Sequence, residues 1–295
     1  MPPEVEWFAN LTNPNTRRAY QNDVRGFMAF LGIARPEELR RVNRAHVLAW
    51  RKHIAAKAPA TVRRQLAAVS SLFEYLCDQN AVSGNPVSGV KRPKEGANQG
   101  KTPAISDREA RKLLAAPPEG TVPGKRDRAI MAVLLFHGPR RAEVARLRVG
   151  DLQDRRGIPH LIFHGKGDKI RYIPAHPIAA AAVKEYLEAA GHKSDLEGPL
   201  FRPLRNRSSA AGKRAALSAD SLWRMVTGYA KQVGITAEGI GPHSLRATAA
   251  TNALEHGAEI AAVAEWLGHA CITTTRLYDK RVVRVENSPT FRVSY

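Results

Sequence analysis

Ile158-Pro-His-Leu-Ile-Phe163 and Ile170-Arg-Tyr-Ile173 flank the tetrapeptide Gly165-Lys166-Gly167-Asp168. Two short β-prone runs around a glycine-bearing loop read as a hairpin. Around it the apolar residues recur at helical spacing. Upstream, Asp127–Phe136 reads as a strongly apolar helix, and a short helix ends at Leu147. Downstream, helices are expected at Pro177–Ala190, Ala219–Val233, Pro242–His256 and Ile260–Leu267, with a short one at Ile272–Tyr278. Ser218 and Gly241-Pro242 mark two starts, Gly257 and Gly268 two stops. Ser106-Asp107-Arg108-Glu109 fits a capping box opening a helix through Leu114. The fold class is mainly α, with one β-hairpin inside the larger, α+β part.

The first ninety residues read as a small separate bundle. Tyr20, Val24, Phe27 and Leu31 step by four, three and four along one face, so a helix is expected over Asn13–Leu31. A second fits Arg44–Ala56. A third fits Thr61–Gln79, where Val62, Leu66, Val69, Phe73 and Leu76 keep the same rhythm. Asn85-Pro86 closes the bundle, and Lys91–Pro103 has almost nothing to bury. The expected organisation is therefore a helical domain at 1–90, a basic linker at 91–103 and a larger domain at 104–295.

The 295 residues carry 46 Lys+Arg against 27 Asp+Glu, a net charge of +19. The excess is +7 in residues 1–100 and +12 in the remainder, so both halves are basic. That suits a long polyanion held by both. Arginine outnumbers lysine by 32 to 14, which favours planar, bidentate phosphate recognition. Arg17, Arg18, Arg63 and Arg64 fall off the apolar stripes and, with Lys91 and Arg92 of the linker, are the candidate DNA contacts; a solvated charged face is the plain alternative. At 43% apolar the chain can bury real cores. No apolar run approaches the roughly 18 residues of a membrane span, and no secretory signal opens the chain, so a cytoplasmic, nucleoid-associated protein is expected. Cys77 and Cys271 are too few and too far apart for a disulfide framework or a zinc site.

The acidic residues form no cluster of the kind that two-metal nucleases need, and no phosphate-binding loop ending in Lys-Ser/Thr is present. No cofactor and no metal are expected. The candidates are cationic and phenolic: Arg140 in Gly138-Pro139-Arg140-Arg141-Ala142-Glu143, Lys166 at the hairpin tip, His243 and Arg246 one turn apart, His269 after Leu267-Gly268, and Tyr278. Pro139 reads as the first helical position, placing Arg140 at a helix N-terminus. Two arginine forks clamp non-bridging phosphate oxygens and offset the charge of a transition state. A phenol ionises near pH 10, and neighbouring cations favour its anion. Lys166 is the expected proton donor to a departing 5′-oxygen, His243 the acceptor for the phenol, and His269 a hydrogen-bond donor to the phosphate. A covalent phosphotyrosine conserves the bond energy, so neither ATP nor metal is required. Singly these residues say little: a second His-x-x-Arg occurs at His137–Arg140.

In order, the set resembles the tyrosine recombinase (phage integrase) family. Gly138-x-Arg140-x-x-Glu143 is similar to its first arginine box, Gly165–Lys169 to its hairpin lysine, and His243-x-x-Arg246, Leu267-Gly268-His269 and Tyr278 to the rest of its active site. Asn15–Tyr20 and Pro86 resemble its N-terminal core-binding, SAM-like domain. The resemblance implies a C-shaped clamp around duplex DNA and a 3′-phosphotyrosine intermediate. It also implies a free monomer, a dimer on one site, and a homotetramer exchanging strands through a Holliday junction, in DNA integration or transposition by a mobile element. Pro139 stands where leucine is more usual. The apolar residues of Lys280–Tyr295 suggest docking of the tail on a neighbouring subunit. A type IB topoisomerase and a non-catalytic DNA-binding regulator are the alternatives.

Overall fold

The structure, a computed structural model, describes residues 3–94, 102–165, 169–203 and 215–279. Lys166, part of the expected linker and the tail Lys280–Tyr295 lie outside the described residues. The chain divides into two compact units, Met1–Asn98 and Gln99–Tyr295.

The first unit is helical: α1 Pro3–Asn10, α2 Pro14–Leu31, α3 Arg44–His53 and α4 Pro59–Asp78, with a 3-10 turn at Pro36–Arg41. Asn13 caps α2 by accepting from the Asn15 and Thr16 N–H groups, Pro14 occupies the first turn, and Gly32 ends the helix at φ 67°. The stripe expected on α2 is the buried one, with Val24 and Phe27 facing Trp50, Leu66, Val69 and Phe73. α3 ends at His53, short of the expected Ala56. Ile54 caps it, 1% exposed and tucked into the core, and the chain then turns into Pro59 at the start of α4. Apolar periodicity did not mark α1 or the 3-10 turn, where single residues, Trp7 and Leu39, are the buried anchors.

Within this unit two of the candidate DNA-contacting arginines have structural partners. Arg17 donates twice to the Leu11 carbonyl, at 3.1 and 2.9 Å. Arg64 is ion-paired with Asp23, whose buried carboxylate also accepts from Gln65. Arg63 is half-buried; Arg18, Lys91 and Arg92 are exposed.

The second unit is built round α6, Val122–His137, whose residues Ala129 to Leu134 are all fully buried. A helix apolar on all sides must sit at the centre. It begins five residues before the expected Asp127, because Thr121 accepts from the Gly124 N–H and Pro123 fills the first turn. α5, Asp107–Ala115, carries the expected capping box, with Ser106 and Glu109 satisfying one another's N–H groups. α7, Arg141–Arg146, is followed by a sheet of three antiparallel strands, β1 Leu152–Arg155, β2 Ile158–His164 and β3 Ile170–Pro174. The expected β2–β3 hairpin is present, pairing Phe163 with Arg171 and Leu161 with Ile173. The additional strand β1 is polar (Leu-Gln-Asp-Arg) and carries no alternation. α8 Pro177–Ala190, α9 Ala219–Gln232, α10 Pro242–Glu255, α11 Ile260–Leu267 and α12 Ile272–Arg276 complete the unit within a residue or two of expectation. No described helix is long and apolar enough to cross a membrane.

Asp23 is 3% exposed. Arg64→Ala strands its carboxylate without its charged partner and should lower stability by about 1–2 kcal/mol. Arg18→Ala should leave the thermal midpoint unchanged. Thermal denaturation of both variants reads the difference.

Candidate active site

Five of the six sequence-selected residues come together in the second unit, at the C-terminal end of α11. Arg140 is the N-cap of α7, with Pro139 lying before the helix rather than at its first position. Glu143, three residues on, reaches back to the Arg140 N–H at 2.8 Å and takes the Arg140 Nη1 at 2.9 Å. The helix start thereby aims its own capping side chain. Arg140 Nη2 continues to the Gly268 carbonyl at 3.2 Å, and the side chain stays 44% exposed.

Arg246 is the opposite case, 2% exposed inside α10. Its Nη1 donates to the Gly138 carbonyl at 2.6 Å and its Nη2 to the Leu267 carbonyl at 2.8 Å. Both acceptors belong to helix ends whose C-caps, Gly138 and Gly268, are left-handed. Burial, then the nearby Arg140 charge, brings the Arg246 guanidinium down to about 10, still cationic at neutral pH. His243 precedes it by three residues on the same helix and is exposed. Partial desolvation of its ring by the surrounding protein, followed by Arg246 and Arg140, holds His243 below the usual imidazole range although the residue still reaches solvent.

His269 follows Gly268. Its Nδ1 lies 2.7 Å from the Thr275 hydroxyl, and burial with Arg246, Arg140 and Arg171 lowers it to about 4. Its ring faces that of Tyr278, centroids 6.0 Å apart and 26° between planes. Tyr278 lies beyond the end of α12, in a turn rather than in the helix expected there. It is 6% exposed, packed with Ala247, Ala250, Leu254, Val263 and Leu267, and its carbonyl accepts from Thr251. Arg246 counts the Tyr278 phenol among its electrostatic neighbours. No hydrogen bond joins His243 to Tyr278 among the described residues. Lys166 cannot be placed, but the residue before it can: a Cβ on Gly165 would lie 3.7 Å from Glu143 Oε1, so the strand leading to Lys166 ends beside this cluster.

Two residues to which sequence reasoning gave no role also belong here. Glu143 is 4% exposed and takes Arg171 Nη2 at 2.7 Å as well as Arg140. Arg171 Nη1 donates to the Trp266 carbonyl at 2.6 Å. The signal for Arg171 was available: it faces the same side of β3 as buried Ile173, where alternation calls for an apolar residue. Among the described residues no group of three or more His, Cys, Asp or Glu is placed to hold a metal ion.

Residues 104–282 match the Phage integrase family and residues 8–80 its N-terminal SAM-like domain. The chain is 34% identical over 268 residues to the tyrosine recombinase XerD of Listeria innocua, covering 90% of this chain and 87% of that protein. It is equally 34% identical to the XerC of Herpetosiphon aurantiacus, over 90% and 84%. The fold is shared with the XerH recombinase bound to a difH substrate (TM-score 0.70, 22% identity, 95% of this chain and 80% of that one). It is shared too with a lambda integrase tetramer on a Holliday junction (TM-score 0.70, 18% identity, 97% and 80%). Fold and site define a tyrosine-type DNA strand transferase. Both parts of the chain agree on the assignment, the small helical unit and the larger one alike. The chain belongs to the phage integrase family, the tyrosine recombinases of site-specific recombination.

The depressed imidazoles give a pH test. The His269 ring should titrate by NMR with a midpoint about 4, staying neutral at pH 6. Because its folded pKa lies below its unfolded value, stability present above pH ~6.5 should be lost as pH falls through that window toward 4. Buried His137, also about 4, adds to the same loss. A His269 midpoint near 6.5 would mean that the ring is neither buried nor flanked by the guanidinium groups.

Proposed function

We propose that this recombinase cleaves and rejoins duplex DNA through a 3′-phosphotyrosine at Tyr278. The carrying observation is convergence: Arg140 and Arg246 bind the carbonyls of Gly268 and Leu267, the two residues before His269, whose ring faces Tyr278. Each guanidinium keeps further N–H donors for the non-bridging oxygens of a phosphate. The Tyr278 oxygen attacks phosphorus and the bond to the 5′-oxygen breaks. His243, held neutral, accepts the phenolic proton. Lys166 supplies a proton to the departing oxygen. With the Thr275 hydroxyl donating to Nδ1 of His269, the ring proton sits on Nε2 and donates a hydrogen bond to the phosphate. Attack of a 5′-hydroxyl on the phosphotyrosine reverses the step, so no ATP and no metal enter the balance.

In this reading residues 1–90 and the basic stretch 91–103 hold duplex DNA for the domain at 104–295. The protein is a monomer when free, a dimer on one site and a homotetramer on two paired sites, passing through a Holliday junction. Recombination of the XerC and XerD kind is supported by the relatives named above. The integration or transposition expected from the sequence is the other use of the same chemistry.

Covalent capture tests both levels. Incubated with fragmented genomic DNA and then denatured, the protein should retain covalently bound DNA, Tyr278→Phe should retain none, and EDTA should change nothing. An adduct persisting in Tyr278→Phe would remove the nucleophile; its loss in EDTA would remove the metal-free scheme. Sequencing the captured DNA separates a chromosomal locus from the ends of a mobile element.

A further inference from the structure

Strand β3 places Arg171 and Ile173 on the face that packs inward, opposite Phe163 and Leu161. Ile173 behaves as alternation demands. Arg171 puts a guanidinium there instead, its side chain only 12% exposed. Desolvating that charge is costly, and an apolar residue of similar volume would fill the position without the cost. What it gains is specific. One arm of the fork takes Glu143 Oε2, the other the Trp266 carbonyl, and the planar group lies 5.6 Å from the Phe163 ring centre.

These contacts complete a pattern at the end of α11. The carbonyls of Trp266, Leu267 and Gly268 are taken by Arg171, Arg246 and Arg140 respectively. Gly268 is in the left-handed region at φ 67°, and a Cβ there would meet Arg171 Cδ and Nε at 2.9 Å, so the arginine lies directly against its Cα. His269 is the next residue. Arg171 thus touches both supports of the site: the carboxylate that aims Arg140 and the helix end that carries His269.

We infer that Arg171 is a positioning residue of the active site, whose fork locks the Glu143 carboxylate to the end of α11 and so fixes Arg140 and His269 against one another. The inference rests on the proposed strand-transfer chemistry. It requires a fork and not only a charge, because the two acceptors belong to different elements. A lysine reaches one of them.

The test uses the full chain and a nicked duplex carrying a site recovered by covalent capture. Arg171→Lys should fold, bind that duplex within about twofold of wild type, since binding is spread over many phosphates, and cleave about a hundredfold more slowly in single turnover. Its His269 midpoint should stay about 4, because the positive charge remains. Arg171→Met should lose cleavage at least as severely, and its His269 midpoint should rise, because one of the cations facing the ring is gone. A folded Arg171→Lys that cleaves at the wild-type rate overturns the inference, as does a loss of binding as large as the loss of cleavage. If Arg171→Met does not fold, the lysine variant decides alone. Tyr278→Phe run alongside keeps the two readings apart. An adduct in that variant defeats the proposed nucleophile whatever Arg171 does, whereas its absence beside a fully active Arg171→Lys defeats the positioning role only.

Discussion

Three successive carbonyls at one helix end hold three guanidinium groups delivered by segments far apart in sequence. The last carbonyls of a helix have no partners of their own and carry the negative end of its dipole. At α11 they accept from Arg171, Arg246 and Arg140. The buried Glu143 carboxylate offsets part of the repulsion among the cations by binding two of them. The fold around this point is the means of bringing the donors there: α7 supplies Arg140 and Glu143, β3 supplies Arg171, and α10 supplies Arg246.

Crowding the cations has a chemical consequence. Arg140, Arg171 and Arg246 outnumber the one carboxylate bound to them, and burial together with these cations holds the two nearby imidazoles below their usual range. A neutral imidazole can accept a proton at one nitrogen and donate a hydrogen bond from the other, whereas an imidazolium can only donate. The positive charge that Glu143 leaves unbalanced is what the proposed phosphate diester would offset. The arginines are also unequal. Arg246 is 2% exposed and ties two helix ends together, while the Arg140 side chain is 44% exposed. Loss of Arg246 therefore strands two helix-end carbonyls, and a stability effect must be separated from a catalytic one at that position. Arg140 is more exposed but also holds the Gly268 carbonyl and the buried Glu143 carboxylate, so the same separation applies there.

Most of the architecture was legible where a periodic apolar face or a cap sat in the sequence. The α2 stripe, the Ser106 box, the hairpin around Gly165 and the span of α11 all follow from local rules. The failures share a cause. β1 is polar and is a strand only because β2 offers it an edge; α6 starts in a polar first turn that an apolar run does not mark. Pro139 is outside α7 because Glu143 makes Arg140 the cap. Arg17 and Arg64, expected as DNA contacts, also have protein acceptors that periodicity does not show, the Leu11 carbonyl and the Asp23 carboxylate. Arg171 was the costliest omission. A motif search passes over it, whereas strand alternation marks it as a charge on an inward face.

α10 explains how a phenol 32 residues downstream of Arg246 can belong to the same site. Its first turn carries His243, and its next residues bury Arg246. Immediately beyond, Ala247 and Ala250 share one buried apolar cluster with Tyr278, and Thr251 donates to the Tyr278 carbonyl. Larger side chains at the two alanines would push the ring away from the cations; a shorter helix would lose the threonine. The small residues that make α10 featureless to a hydrophobicity reading are what let one rigid element fix Arg246 and seat the phenol. The expected chemistry needs those two groups to share a frame, and the alanines supply it.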